Sequence, residues 1–221
     1  MSKAISQRDH LLSEFLKEEG YSDWMLNPID GDASARRYFK LTKERQSYSL
    51  ILMDYDPSEA PNEKALIYRQ RARLAGTDMK SFAAIGTALY QRGFSAPKIL
   101  AANTDTGFLI LEDLSVDDKG SNIYARYIES HPEDELKLYE AAIDCLAAIY
   151  RSSFTSKLYS AFGNWEVGLY DRQPLMEELT LFTEWYVPDL GVILSEQAIN
   201  CLLYTSPSPR DQRGSRMPSS A

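Results

Sequence analysis

The sequence predicts an α+β fold, in which a first part of mixed helices and short strands is followed by a part built only from helices. Apolar residues recur at helical spacing near the start of the chain and again after residue 132. Between these segments, short apolar runs are separated by turns rich in glycine and polar residues. No such run follows the later helical segment, so we expect all the strands to lie in the first part.

The first part begins with a predicted amphipathic helix and a hairpin. Residues 7–19 place four apolar side chains on one helical face, and Gly20 ends the helix. Residues 24–29 alternate in polarity, which predicts a strand. Residues 30–53 contain a turn of small residues, paired arginines, an aromatic-containing strand, a polar turn and an apolar run. This order is typical of a hairpin with a polar, cationic tip, which suits a phosphate-bearing ligand.

Two helices and a second hairpin complete the first part. Residues 63–74 and 80–93 have helical patterns, and a glycine ends the second of them. The runs 98–102 and 108–111 flank a turn that contains glycine, which is a hairpin signal. Polarity returns directly after the second run, so we predict that the first domain comprises residues 1–114.

The second predicted domain, residues 115–200, comprises a polar linker up to about residue 130, which is followed only by helices. Its most regular helix begins at Pro132, with acidic residues in the first turn that favour the helix dipole. The apolar face of this helix contains Tyr139, Ala142, Ile143, Leu146, Ile149 and Tyr150. Two further helices are predicted at residues 175–186 and 195–200.

Residues 201–221 are interpreted as a disordered, non-native tail. After Tyr204 the sequence loses its periodicity and is rich in serine, proline and arginine, so it cannot bury a core. Residues 201–211 resemble the translation of a transposase-type sequencing adapter, and residues 215–221 resemble the flow-cell end of that adapter. We therefore expect the chain to be an N-terminal fragment whose natural sequence continues past Asn200.

Composition argues against several classes of function. The chain is 44% hydrophobic and 25% charged, which is ordinary for a soluble protein, and its net charge of −8 argues against general nucleic-acid binding. No apolar run reaches the roughly 18 residues that span a bilayer, and no secretory signal opens the chain. Cys145 and Cys201 form neither a metal spacing nor a disulfide framework, and Cys145 is expected to be buried and inert. We expect a cytoplasmic protein that binds neither nucleic acid nor membranes.

Three motifs occur in an order that is typical of one enzyme family. They are DASARRYFKL at 32–41, SLILMD at 49–54 and APKILAANTDTGFLILEDLS at 96–115. Together they resemble the aminoglycoside phosphotransferase family, which is related to choline and homoserine kinases and distantly to protein kinases. LTLFTEWY at 179–186 resembles the bacterial branch of anomeric sugar kinases that phosphorylate N-acetylmuramate and N-acetylglucosamine in cell-wall recycling. The resemblance implies a kinase-like first lobe, with a twisted antiparallel sheet and helices, and the start of a helical second lobe.

The same resemblance implies an ATP site in the first lobe. The turn before the second strand would cover the nucleotide, and its backbone amides together with Ser34, Arg36 and Arg37 would neutralise the triphosphate. The hinge between the lobes would run through Glu112 and Leu114, whose backbone groups would pair with the adenine edge. From the residues alone, a surface hairpin with solvated arginines and a strand that ends in a charged turn are the alternatives.

Two departures from the family pattern concern the phosphates and the chemistry. Related kinases carry a phosphate-binding lysine on the third strand, but residues 50–54 contain none, and Lys40 or Arg37 is the candidate replacement. The catalytic H-x-D-x-x-x-x-N loop and the acid that binds Mg²⁺ are also absent up to Asn200. We therefore predict no catalytic or metal-ligating residue in this chain and no phosphotransferase activity of its own.

These observations predict a fragment of an ATP- and Mg²⁺-dependent kinase whose phosphate acceptor is an amino sugar. A kinase for another small alcohol, such as an aminoglycoside, choline or homoserine, would carry the same motifs. A non-catalytic module that binds a nucleotide or a protein partner is the alternative from a different class, because such a module does not need the strand lysine.

Overall fold

The described residues of the computed structural model form two compact units. Those within Met1–Glu59 and Thr77–Val167 make up the first unit, and those within Ala60–Gly76 and Gly168–Ala221 make up the second. This grouping follows contacts within the chain, and the predicted boundaries at residues 114 and 200 stay predictions. The structure describes residues 6–29, 36–56, 63–73, 78–115 and 123–205.

A five-stranded antiparallel sheet forms the centre of the first unit. The strands are β1 (Met25–Ile29), β2 (Arg37–Thr42), β3 (Leu50–Asp54), β4 (Ile99–Asn103) and β5 (Phe108–Glu112). They lie in the order β1-β2-β3-β5-β4, and every neighbouring pair is antiparallel. The sheet and its helices confirm the predicted α+β class.

Helices of the first unit precede, interrupt and follow the sheet. They are α1 (Gln7–Glu18), α3 (Met79–Gln91), α4 (Tyr124–Ser130) and α5 (Glu135–Arg151), with a 3₁₀ turn at Pro132–Asp134. A capping box fixes the start of α1, since the Ser6 hydroxyl accepts from the Asp9 amide and the Asp9 carboxylate accepts from the Ser6 amide. Two short strands, β6 (Lys157–Leu158) and β7 (Trp165–Glu166), pair with each other, so the expectation that all strands lie before residue 115 is wrong.

The sheet buries apolar side chains on both faces, which are named here by the helices that contribute to their cores. The α1 face carries a cluster of Phe15, Leu16, Trp24, Leu41, Leu50, Leu52, Ala101, Phe108 and Ile110. The α3 face carries a cluster of Met53, Tyr55, Met79, Leu109 and Leu111. Because successive side chains of a strand point to opposite faces, Leu52 and Met53 belong to different clusters.

The second unit contains helices throughout its described residues. It comprises α2 (Glu63–Arg71), α6 (Arg172–Leu181), a π-helical turn at Phe182–Tyr186, α7 (Val187–Asp189) and α8 (Glu196–Thr205). The predicted helices are therefore present, although α8 extends into the segment that was predicted to be a disordered tail. This difference arises because Leu202 and Leu203 continue the apolar pattern of α8. Residues 206–221 lie outside the described part.

The expected burial of Cys145 is wrong, because the thiol is exposed. Cys145 lies on α5, which has no buried side chain in the described structure. The apolar face predicted for this helix is exposed to solvent, with Leu146 66% and Tyr150 87% accessible. An amphipathic pattern indicates that a helix has an apolar face, but it does not indicate that the face is covered.

Candidate nucleotide-binding site

The α3 face of the sheet, along β2 and the residue before it, carries the predicted phosphate ligand Arg36 and the candidate Lys40. Tyr38 packs against the α3-face cluster, and the guanidinium carbon of Arg36 lies 5.8 Å from the centre of the Phe82 ring on α3. Lys40 is paired with Ile51, which packs against the same cluster. Alternate residues of a strand share a face, so Arg36, Tyr38 and Lys40 follow one another along it.

The side chain of Lys40 reaches the segment that follows β5. Its Nζ lies 3.5 Å from the carboxylate Oδ2 of Asp113 and 3.4 Å from the hydroxyl of Ser115. The Ser49 hydroxyl donates to Oδ2 of Asp113 at 2.6 Å, and the Ser115 amide donates to Oδ1 at 2.8 Å. Asp113 therefore connects the strand that carries Lys40 to the segment predicted to be the hinge.

The pKa of the Asp113 carboxyl is lowered despite the burial of its side chain. Only 4% of its side chain is exposed. Burial raises the pKa of this carboxyl, but the hydrogen bonds from Ser115 and Ser49 and the charge of Lys40 together lower it by more. The pKa therefore lies below its ordinary value. The sequence analysis missed this residue. The signal that could have identified it is the Asp-x-Ser spacing, which favours a local turn closed by the aspartate side chain.

The two predicted hinge residues lie at the end of β5. The Glu112 amide donates to the carbonyl of Lys98 at 2.8 Å, and the Glu112 carboxylate accepts from the Lys98 amide at 3.1 Å. Glu112 thus holds the beginning of β4, while its own side chain is exposed. Leu114 is exposed two residues later. The structure brings both residues next to Asp113, and their contacts with adenine stay a prediction.

Arg37 lies on the opposite face from Arg36. It is directly across from Asp54 in the pairing of β2 with β3, and its Nη2 lies 2.5 Å from Oδ2 of Asp54. Oδ1 of Asp54 accepts from Nε and Nη2 of Arg8 at 3.0 and 2.6 Å. The sequence analysis missed Arg8 and Asp54 because they are far apart in the chain. The only local signal is a carboxylate at the end of an otherwise apolar strand.

The remaining predicted site residue, Ser34, lies outside the described residues. Among the residues that the structure describes, no group of three or more histidine, cysteine, aspartate and glutamate side chains could hold a metal ion. His131 is exposed, and its ring stacks on that of Tyr127 with centroids 4.4 Å apart. No described helix is both long and apolar enough to cross a membrane.

The arrangement suits an elongated anionic ligand. Arg36 and Lys40 are four residues apart on one face of a strand, which separates their Cα atoms by about 13 Å. At the Lys40 end lies segment 112–115, whose pairing with the adenine edge is a prediction. At the Arg36 end lies a guanidinium, whose planar fork matches phosphate oxygens.

The sequence matches the phosphotransferase enzyme family (APH) over residues 26–203. The matched segment includes β2 to β5 and all of β1 except its first residue. The chain belongs to this family. It is 37% identical over 190 residues to an N-acetylmuramate/N-acetylglucosamine kinase of Caulobacter vibrioides, which covers 81% of this chain and 50% of the relative. It is 30% identical over 195 residues to a kinase of the same name from Pseudomonas aeruginosa, which covers 86% and 47%. The chain spans about half the length of these curated relatives.

Within this phosphotransferase domain, the two candidates for replacing the strand lysine lie in different places. Lys40 ends at Asp113, beside the predicted hinge, whereas Arg37 crosses to the α1 face and pairs with Asp54. Arg36 shares a face with Lys40 and lies further from the hinge along the strand. Among these three cations, Arg36 is therefore the one whose placement suits phosphates.

Proposed function

We propose that this chain supplies the nucleotide-binding part of an ATP-dependent amino-sugar kinase, with N-acetylmuramate and N-acetylglucosamine as acceptors. Membership of the phosphotransferase family supports the reaction class. The relatives from Caulobacter and Pseudomonas, which are named for these two sugars, support the acceptors. The observation that carries the nucleotide assignment is the placement of Arg36, Lys40 and the hinge on one face and edge of the sheet.

In this proposal, ATP lies along the α3 face of β2. The adenine edge pairs with backbone groups at Glu112 and Leu114, and the phosphates lie near Arg36. Asp113 holds Lys40 beside the hinge, where its charge is already balanced by a carboxylate 3.5 Å away. Ser34, which lies outside the described residues, keeps its predicted role beside the triphosphate. The donors on this face fit a nucleoside triphosphate, because a heterocycle needs backbone pairing and the phosphates need a cation.

The described residues do not offer a comparable set of ligands for Mg²⁺. No three carboxylate, imidazole or thiolate groups among them come together, so none of these residues is assigned to the metal. In this proposal the described residues bind and orient the nucleotide. Positioning of the nucleotide is a large part of catalysis in phosphoryl transfer.

Nucleotide binding is testable on the chain itself by calorimetric titration with ATP and with adenosine. We expect Arg36→Ala to weaken ATP binding by about tenfold, because a charge-assisted contact is lost, and to leave adenosine binding unchanged. Lys43→Met is the matched control, since Lys43 pairs with Asp23 at 2.5 Å in the turn after β2. Failure of the wild-type chain to bind ATP, or an equal loss in the Lys43 control, would refute the assignment.

The acceptor class is tested on the longest reading frame that contains this chain. Release of ADP is followed with N-acetylmuramate and N-acetylglucosamine, and in parallel with choline, homoserine and an aminoglycoside. The proposal requires turnover with the amino sugars. Turnover with choline, homoserine or the aminoglycoside alone would move the protein to another branch of the family.

A further inference from the structure

A single buried carboxylate, that of Asp54, is shared by two arginines from different parts of the chain. Its side chain is fully buried, and its two oxygens are divided between the partners. Oδ1 accepts from Arg8 of α1, and Oδ2 accepts from Arg37 at the start of β2. We call Asp54, Arg8 and Arg37 the carboxylate clamp.

Arg8 holds its side of the clamp rigidly. Besides its two bonds to Asp54, Nη1 donates to the carbonyl of Thr106 at 2.6 Å and Nη2 donates to the carbonyl of Tyr55 at 3.2 Å. Its guanidinium carbon lies 3.8 Å from the centre of the Phe108 ring. The position of the Asp54 carboxylate is therefore fixed by α1, by the turn between β4 and β5 and by the end of β3.

Arg37 is different, because more than half of its side chain is exposed. A solvated surface arginine would adopt many rotamers. The Arg37 guanidinium is instead held by the fully buried Asp54 carboxylate, which Arg8 fixes. Arg37 is the first residue of β2, so the clamp fixes the backbone directly after Arg36. With Arg37 held on the α1 face, strand alternation directs Arg36 to the α3 face.

We propose that Asp54 and Arg37 are positioning residues that keep Arg36 on the nucleotide face of the sheet. The inference rests on the proposed function, because Arg36 is there the group that meets the phosphates. Neither Asp54 nor Arg37 touches the ligand. Because Asp54 carries a negative charge, its direct electrostatic effect would weaken the binding of a polyphosphate. Its positioning of Arg36 would instead strengthen that binding.

This difference in sign provides the test, in which ATP and adenosine are titrated into the chain carrying Asp54→Asn. If the clamp positions Arg36, ATP affinity falls by about tenfold, which is typical of an indirect coupling, while adenosine affinity is unchanged. In an Arg36→Ala background the same substitution adds less than about twofold. Tighter ATP binding by Asp54→Asn, or an equal loss for ATP and adenosine, overturns the inference.

A second variant keeps the inference testable if Asp54→Asn does not fold. Arg37→Met leaves Asp54 paired with Arg8, and its loss of ATP affinity should not add to that of Arg36→Ala, whereas Arg37→Lys should recover part of it. Additive losses would mean that Arg37 binds phosphate directly. Hydrogen exchange of the amides of residues 36–40 gives a readout without nucleotide. Faster exchange in Arg37→Met is expected, and unchanged exchange overturns the clamp even where wild-type ATP binding supports the proposed function.

Discussion

Removing Arg8 tests the carboxylate clamp as a source of stability for the first unit. Its side chain is largely buried, and it makes two bonds to Asp54 and two to backbone carbonyls. In Arg8→Met the flexible thioether can still pack near Phe108, but the guanidinium that lies 3.8 Å from the centre of that ring is lost. What is lost is the charge and all four donated hydrogen bonds, so the Asp54 carboxylate is left with Arg37 alone.

The expected loss is about 3 kcal/mol, at the lower end of the range for breaking a buried ion pair, because Arg37 still neutralises Asp54. For a unit of this size the loss corresponds to a fall of about 9 °C in the unfolding midpoint, at about 3 °C per kcal/mol. Arg8→Lys should lie between the variant and the wild type, since an ammonium keeps the charge but cannot reproduce the planar fork.

The assay is thermal unfolding followed by tryptophan emission in a Trp185→Phe background, so that the signal comes from Trp24 and Trp165 in the first unit. Trp24 is buried in the same cluster as the side chains of α1. Lys43→Met is the control, because it removes a cation from an exposed pair and should leave the midpoint nearly unchanged. If Arg8→Met and Lys43→Met had the same midpoint, the clamp would contribute no stability.

Two further predictions concern α5 and the hinge. The double variant Ile143→Gln/Leu146→Gln should reduce self-association in sedimentation velocity, because both side chains lie on the exposed apolar face of α5. The control variant Glu140→Gln should not reduce it. Equal association of the double variant and the control would contradict this prediction. The second prediction concerns Asp113, whose pKa is lowered below 3.8 because hydrogen bonds from Ser115 and Ser49 outweigh burial. The stability that it contributes is therefore present above about pH 4 and lost as the pH falls through the folded value. Unfolding midpoints of Asp113→Asn should fall less steeply between about pH 5 and 3 than those of the wild type, and parallel curves would refute the assignment.

Much of the fold follows from local patterns. The apolar runs of β3 and β5 and the helical spacing of α1 identify those elements without tertiary information, and the glycine-containing turn identifies the hairpin of β4 with β5. The elements that sequence reasoning missed have weak local signals. α4 has no side-chain cap at Ile123, and β6 and β7 contain only two residues each.

The candidate site could be predicted only in part, for the same physical reason. Arg36 and the predicted hinge lie in motifs that are contiguous in sequence, so the family resemblance could propose roles for them. The partners that fix these motifs come from distant segments: Arg8 is 46 residues from Asp54, and Ser49 is 64 residues from Asp113. Contacts of this kind depend on the sheet order and on the packing of α1, which no local pattern specifies.

The two adjacent arginines illustrate why residue type alone does not assign a role in a strand. Leu41 is fully buried in the α1-face cluster, and Phe39 packs against the same cluster. A slip of β2 by one residue would move Lys40 into that core and exchange the faces of Arg36 and Arg37. The cost of burying a lysine there therefore prevents the exchange. Apolar residues on the α1 face thus set the register of β2, and the carboxylate clamp holds the start of the strand in that register, so Arg36 rather than Arg37 lies on the α3 face.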